Sequence, residues 1–138
     1  MRPGGLSALG IFNFVFGGLE AIGELLTLAV LSSQYPKMVE QAQRNGQDFP
    51  SVNLLYVLAL FGLVRAGLLI SSGVGYFGMK KFLGRMLGNG YAVAALIALV
   101  IEITQAPANF TAFNLIGFVY PLITLFMLNV VFKKDLVR

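Results

Sequence analysis

The stretch Leu6–Leu31, LSALGIFNFVFGGLEAIGELLTLAVL, decides the fold of this chain. It is mostly apolar over more than the ~20 residues that cross ~30 Å of hydrocarbon as a helix. It nevertheless carries two carboxylates, Glu20 and Glu24. At alternating steps of three and four, Gly10, Asn13, Gly17, Glu20, Glu24 and Thr27 fall on one stripe, and the phenylalanines and most leucines fall off it. Unpaired polar groups in hydrocarbon are costly, so such a stripe must face protein or water rather than lipid. The run is about twice the length of a signal-peptide core and has no small-residue cleavage site after it, so it reads as a retained first helix.

The rest of the composition agrees. Of the 138 residues, 57% are hydrophobic and 12% charged, and the mean hydropathy is +0.80. Soluble domains carry roughly twice that charged fraction. Three further apolar segments follow, at about 52–78, 89–105 (with a possible start near Phe82) and 110–132. The expected fold is all-α: one domain over residues 1–138, a bundle of four transmembrane helices. The first loop, 32–51, contains PKMVEQAQRNG, which reads as a short external helix begun by Pro36 and stopped by Gly46. Arg2, the turn with Lys80, Lys81 and Arg85, and the C-terminal Lys133, Lys134 and Arg138 hold most of the positive charge. The positive-inside rule then predicts that both termini and the 79–85 turn are cytoplasmic.

The other helices continue the polar interior. The third presents Gly88, Tyr91, Ala95, Ala98, Glu102 and Gln105 on one stripe, and the fourth presents Asn114, Gly117, Pro121 and Thr124. Pro121 lacks a backbone N–H and frees the carbonyl of Gly117, which predicts a kink between them. The second helix offers Gly62, Arg65, Ser72 and Tyr76. Glu20 lies ~17 Å from the outer end of its helix and Arg65 ~20 Å from the same side on an antiparallel neighbour. An isolated charge at that depth costs at least ~2.5–3.5 kcal/mol, so a Glu20–Arg65 ion pair is expected. Glu24 and Glu102 are then either polar glue or a proton or cation site. Gly67, Ser71 and Gly75 form a second small-residue seam, about 200° from Arg65 at its start, and it suits close approach by another helix.

Function is only bounded. Without cysteine or histidine there is no disulfide, thiolate site or imidazole shuttle. The net charge of +4 sits at the ends of apolar runs and suits membrane orientation rather than nucleic-acid binding. No residue set forms a recognisable triad, metal site or haem ligand pair, so an enzyme and a cofactor are not expected. The leading expectation is a small accessory, assembly or scaffolding subunit, with lipid and other membrane subunits, or itself, as partners. The alternative is a small proton- or cation-coupled transporter or ion conductor.

The segment Leu68–Ile97 has glycines spaced as Gly73 and Gly75, a basic turn at Lys80 and Lys81, the pair Gly84–Arg85, and Tyr91–Ala92 in the next helix. This resembles a group of uncharacterised bacterial four-helix integral membrane proteins, as does the first helix. Here Phe82–Leu83 stands where that pattern often has a Trp. The resemblance implies the fold and the topology, and no activity; the expected location is the bacterial inner (cytoplasmic) membrane. Gly17, Gly18 and Glu20 are also similar to the first helix of small multidrug-resistance transporters, although this chain has no Trp, a long first loop and an intramembrane Arg.

Overall fold

The computed structural model describes residues 2–105 and 112–137, with all side chains except those of Gln105 and 112–116. The described residues are helical, with no strand. Helix α1 spans Gly4–Arg44, α2 Val52–Phe77, α3 Leu87–Gln105 and α4 Ala112–Phe126. Wider, π-type turns lead into α3 at Lys81–Met86 and follow α4 at Met127–Val131. Three helical segments, Gly4–Arg44, Val52–Phe77 and Lys81–Thr104, are long and apolar enough to cross a membrane, and Gly117–Val131 is a shorter apolar one. The 106–109 loop, the start of the fourth segment at Phe110, and the side chains of Gln105 and Asn114 lie outside the described residues.

The first loop departs from the sequence expectation. It holds no separate external helix: α1 runs through Pro36 without interruption to Arg44, over 41 residues. A proline inside a helix removes one backbone hydrogen bond, but the surrounding turns are otherwise supported. Ser32 Oγ donates to the carbonyl of Ala29 at 2.8 Å and Ser33 Oγ to the same carbonyl at 3.2 Å. Tyr35 donates to the carbonyl of Pro50 at 2.9 Å and packs on Phe49. The chain stops helically at Asn45 and reverses at Gly46, whose φ of +68° favours glycine. Ser51 then caps α2, accepting from the Leu54 N–H.

At the other end, α2 closes by a Schellman pattern. The N–H of Lys80 donates to the carbonyl of Gly75 and that of Met79 to Tyr76, with Met79 in the left-handed region at φ 51°. This turn brings the Lys81–Met86 segment back across α2.

Packing is mainly between sequential neighbours: α1 against α2, α2 against α3 and its lead-in, and α3 against α4. Leu6, Leu9, Tyr76, Leu128, Phe132 and Leu136 form one buried cluster at the end where the termini meet. Leu69, Tyr91, Ala92 and Ala95 form another in the middle. Large apolar side chains such as Leu19, Ile22, Val57, Leu60, Val64 and Val130 point outward. An exposed apolar surface around a polar interior is the arrangement hydrocarbon solvent requires.

Candidate functional site

The α1–α2 seam is built from small residues that let the two backbones meet. Gly10 faces Gly73, Gly17 faces Ala66 and Leu69, and Gly62 lies under Glu24, so residue numbers fall along α2 as they rise along α1. A Cβ at Gly17 would lie 2.8 Å from the Ile70 side chain, and one at Gly62 would lie 2.7 Å from Cγ of Glu24. These glycines create the space in which the polar residues meet.

Within that seam, Arg65 Nη2 lies 2.9 Å from Glu20 Oε1 and 4.0 Å from Glu24 Oε1. The side chains are 13%, 22% and 21% exposed respectively, so the group is largely enclosed by protein. Arg65 Nε, also buried, has no hydrogen-bond partner among the described residues. One guanidinium therefore serves two carboxylates. Glu102 is half-buried on α3. It forms no ion pair among the described residues.

Below the ion pair, a neutral polar cluster continues towards the end that holds the termini. Asn13 is fully buried; its Nδ2 donates to Ser72 Oγ at 2.7 Å, and its Oδ1 accepts from the Tyr120 hydroxyl. Ser72 in turn donates to the carbonyl of Leu69. Tyr120 is braced edge-on by Phe16, with ring centroids 4.9 Å apart. Tyr76 Oη and Thr124 Oγ1 are buried without a hydrogen-bond partner among the described residues, although Asn13 and Ser72 lie close to Tyr76. A second polar clasp joins α3 to the turn after α4. Asn89 and Asn129 exchange amide hydrogen bonds of 3.1 and 2.8 Å, and Arg85 reaches Asn129 Oδ1 at 3.4 Å.

Glu20, Glu24, Arg65 and Asn13 are thus brought into the α1–α2 seam, whereas Glu102, on α3, forms no ion pair with them. Thr27, on the same sequence stripe, is instead exposed and returns its hydroxyl to the carbonyl of Gly23. Pro121 is fully buried inside α4, and Gly117 is exposed towards the side chain of Leu99. The Gly67–Ser71–Gly75 seam divides. Gly67 is exposed with nothing within 4 Å of where a Cβ would stand. Ser71 is half-buried. Gly75 is buried against the backbone of Leu83 and Gly84 of the same chain, so it is not part of an outward face. Sequence reading missed Tyr120 and the Asn89–Asn129 clasp. Each asparagine is an amide in an apolar run, the same signal that singled out Asn13.

No family model, curated protein or solved structure matches the chain. Chemically, the seam offers a buried guanidinium–carboxylate cluster and hydroxyl–amide hydrogen bonds. Among the described residues, no group of three His, Cys, Asp or Glu is arranged to hold a metal ion.

Proposed function

We propose that this is a non-catalytic integral membrane protein of four spans that acts by helix–helix contact, as a small accessory, assembly or scaffolding subunit or as a homo-oligomer. The observation that supports this reading most is the length of α1. Its 41 residues extend ~60 Å at ~1.5 Å per residue, about twice the hydrocarbon thickness. In this reading the part beyond Leu31 leaves the membrane as an arm. Pro36–Arg44 and the returning 45–51 segment expose Lys37, Glu40, Gln43, Arg44 and Asp48, with Arg44 and Glu40 paired to each other. Such an arm presents a mixed-charge surface, which suits contact with a partner. Gly67, open on the apolar face of α2, offers a second contact point. The fourth span would be α4 with the turns that follow it. The likeness to bacterial four-helix membrane proteins belongs to the same proposal, as does the inner-membrane location.

The test is purification of the full chain from its native membrane in mild detergent, beside a variant with 36–47 replaced by a short Gly-Ser loop. The intact chain is expected to carry a stoichiometric membrane-protein partner, or to be a homo-oligomer, and the arm-less variant to lose it with little change in melting temperature. A monomer in both preparations would sink the reading.

Topology has its own measurement, since the chain has no native cysteine to interfere. In intact cells, an impermeant thiol reagent is expected to label Gln43→Cys and not Phe82→Cys; both sites are exposed in the fold. Labelling of Phe82→Cys from outside would reverse the proposed orientation, in which both termini are cytoplasmic.

One observation favours the transport reading: Glu20 and Glu24 share one guanidinium, Arg65. If the unbalanced carboxylates exchange protons or cations across the membrane, proteoliposomes of the wild type will dissipate an imposed ion gradient and those of Glu24→Gln will not. Tight wild-type vesicles would remove that alternative.

A further inference from the structure

The bundle is not closed between α1 and α4. Where the first half of α1 passes α4 and its following turns, an apolar groove of about 400 Å³ remains. Gly5 and Ala8 make its shallow floor. Phe12 and Phe16 form one wall, and Ile123 and Met127 the other. Tyr120 also lines it, its ring meeting that of Phe16 edge-on. From Gly5 to Phe16 the groove follows α1 for ~17 Å, about half of the ~30 Å hydrocarbon core. It therefore spans one leaflet.

The Gly5 end of the groove lies at the basic end of the molecule. The ring of Phe132 packs over Gly5, 2.9 Å from where a Cβ would stand, and this places the C-terminal turn beside that end of the groove. Lys133 and Lys134, both exposed, follow directly. Arg2 stands one turn before Gly5, its guanidinium directed to Ser7 Oγ and the carbonyl of Phe77 and lying over the Phe77 ring. The carboxylate on this turn is Asp135, beside those two lysines. Neither lysine forms a salt bridge among the described residues.

We propose that this groove is a site for an anionic phospholipid of the leaflet at the basic end, with one acyl chain lying from Gly5 to Phe16 and the phosphate held by Lys133 and Lys134. The shape, the leaflet-deep length and the charge at one end each match a part of such a lipid. A protein helix is a worse match. A helix with its side chains is ~10 Å across, wider than one acyl chain, and only one bearing an acid at its end would give the two cations a counter-charge. The proposal rests on the membrane reading of the chain, which the cysteine labelling above tests independently.

The experiment is native mass spectrometry of the full chain in detergent, titrated with phosphatidylglycerol or with phosphatidylcholine of the same acyl chains. The wild type is expected to bind one phosphatidylglycerol at least tenfold more tightly than phosphatidylcholine. Two lysines near an anionic group are worth about 30-fold together, from about 1 kcal/mol each. Lys133→Gln with Lys134→Gln should bring the two lipids to equal affinity. Ala8→Phe, at an exposed position, should fill the floor and weaken both lipids at unchanged melting temperature. Equal binding of the two lipids by the wild type, or undiminished binding by folded Ala8→Phe, would overturn the proposal. So would quantitative cross-linking of Ala8→Cys to another protein chain in native membranes. If Ala8→Phe does not fold, the lysine pair still decides.

Discussion

Arg65→Leu is expected to destabilise the protein by about 3–5 kcal/mol, the usual cost of breaking a buried pair by removing one partner. The substitution leaves Glu20, 2.9 Å from the lost guanidinium, and Glu24, 4.0 Å from it, facing each other without a cation. Leucine fills most of the space, so the loss is electrostatic rather than a cavity. Replacing Glu20 as well, in Glu20→Leu with Arg65→Leu, should recover part of the loss but not all, because Glu24 remains. Adding Glu24→Leu should recover most of the remainder, as replacement of a whole buried ionic group by apolar residues is often neutral or stabilising. Reversible unfolding in bicelles measures all three. If the triple variant is no more stable than Arg65→Leu alone, the three residues do not act as one unit.

Gly75→Ala is expected to cost about 3 kcal/mol or more, the upper end of what overpacking does. The added methyl would collide with the backbone of Leu83 and Gly84, and a backbone cannot rotate aside as a flexible side chain can. Relief would require the Lys81–Met86 segment to move off α2. That movement would also disturb Gly84, buried against Leu136 and Tyr76. Gly67→Ala, two turns away on the same helix, is the matched control. Its Cβ meets nothing within 4 Å, so only helix propensity acts, and it should stabilise by up to about 1 kcal/mol. Thermal melts in detergent suffice for the comparison. Similar melting temperatures for the two variants would show that the contact under Gly75 does not hold in solution.

The helices, the inward stripe of α1 and the meeting of Glu20 with Arg65 were legible in the sequence. Each follows from a local rule: apolar length marks the helices, the 3.6-residue period gathers Gly10, Asn13, Gly17, Glu20 and Glu24 on one face, and the fixed rise per residue sets depth. Arg65 is the cation within the second apolar run, so the helix rise was enough to set it opposite Glu20. The stop at Gly46 was legible for a similar reason, since few residues reverse a chain at positive φ as easily as glycine.

What only the tertiary structure decided involves contacts between distant parts of the chain. Pro36 reads locally as a helix start because it lacks a donor. Yet α1 continues through it, supported by Tyr35 on Phe49 and Pro50 across the reversal. Gly67 and Gly75 share a spacing in sequence, but the turn after α2 folds the Leu83–Gly84 backbone onto one and leaves the other open. Tyr120 meets Asn13, and Asn89 meets Asn129, across separations that no periodicity encodes. The groove beside Gly5 exists because α1 packs mainly on α2 and α4 on α3. Sequence states which face each helix must bury; only the packing of the helices states which neighbour covers it, because several neighbours satisfy the same stripe and backbone clearance selects among them.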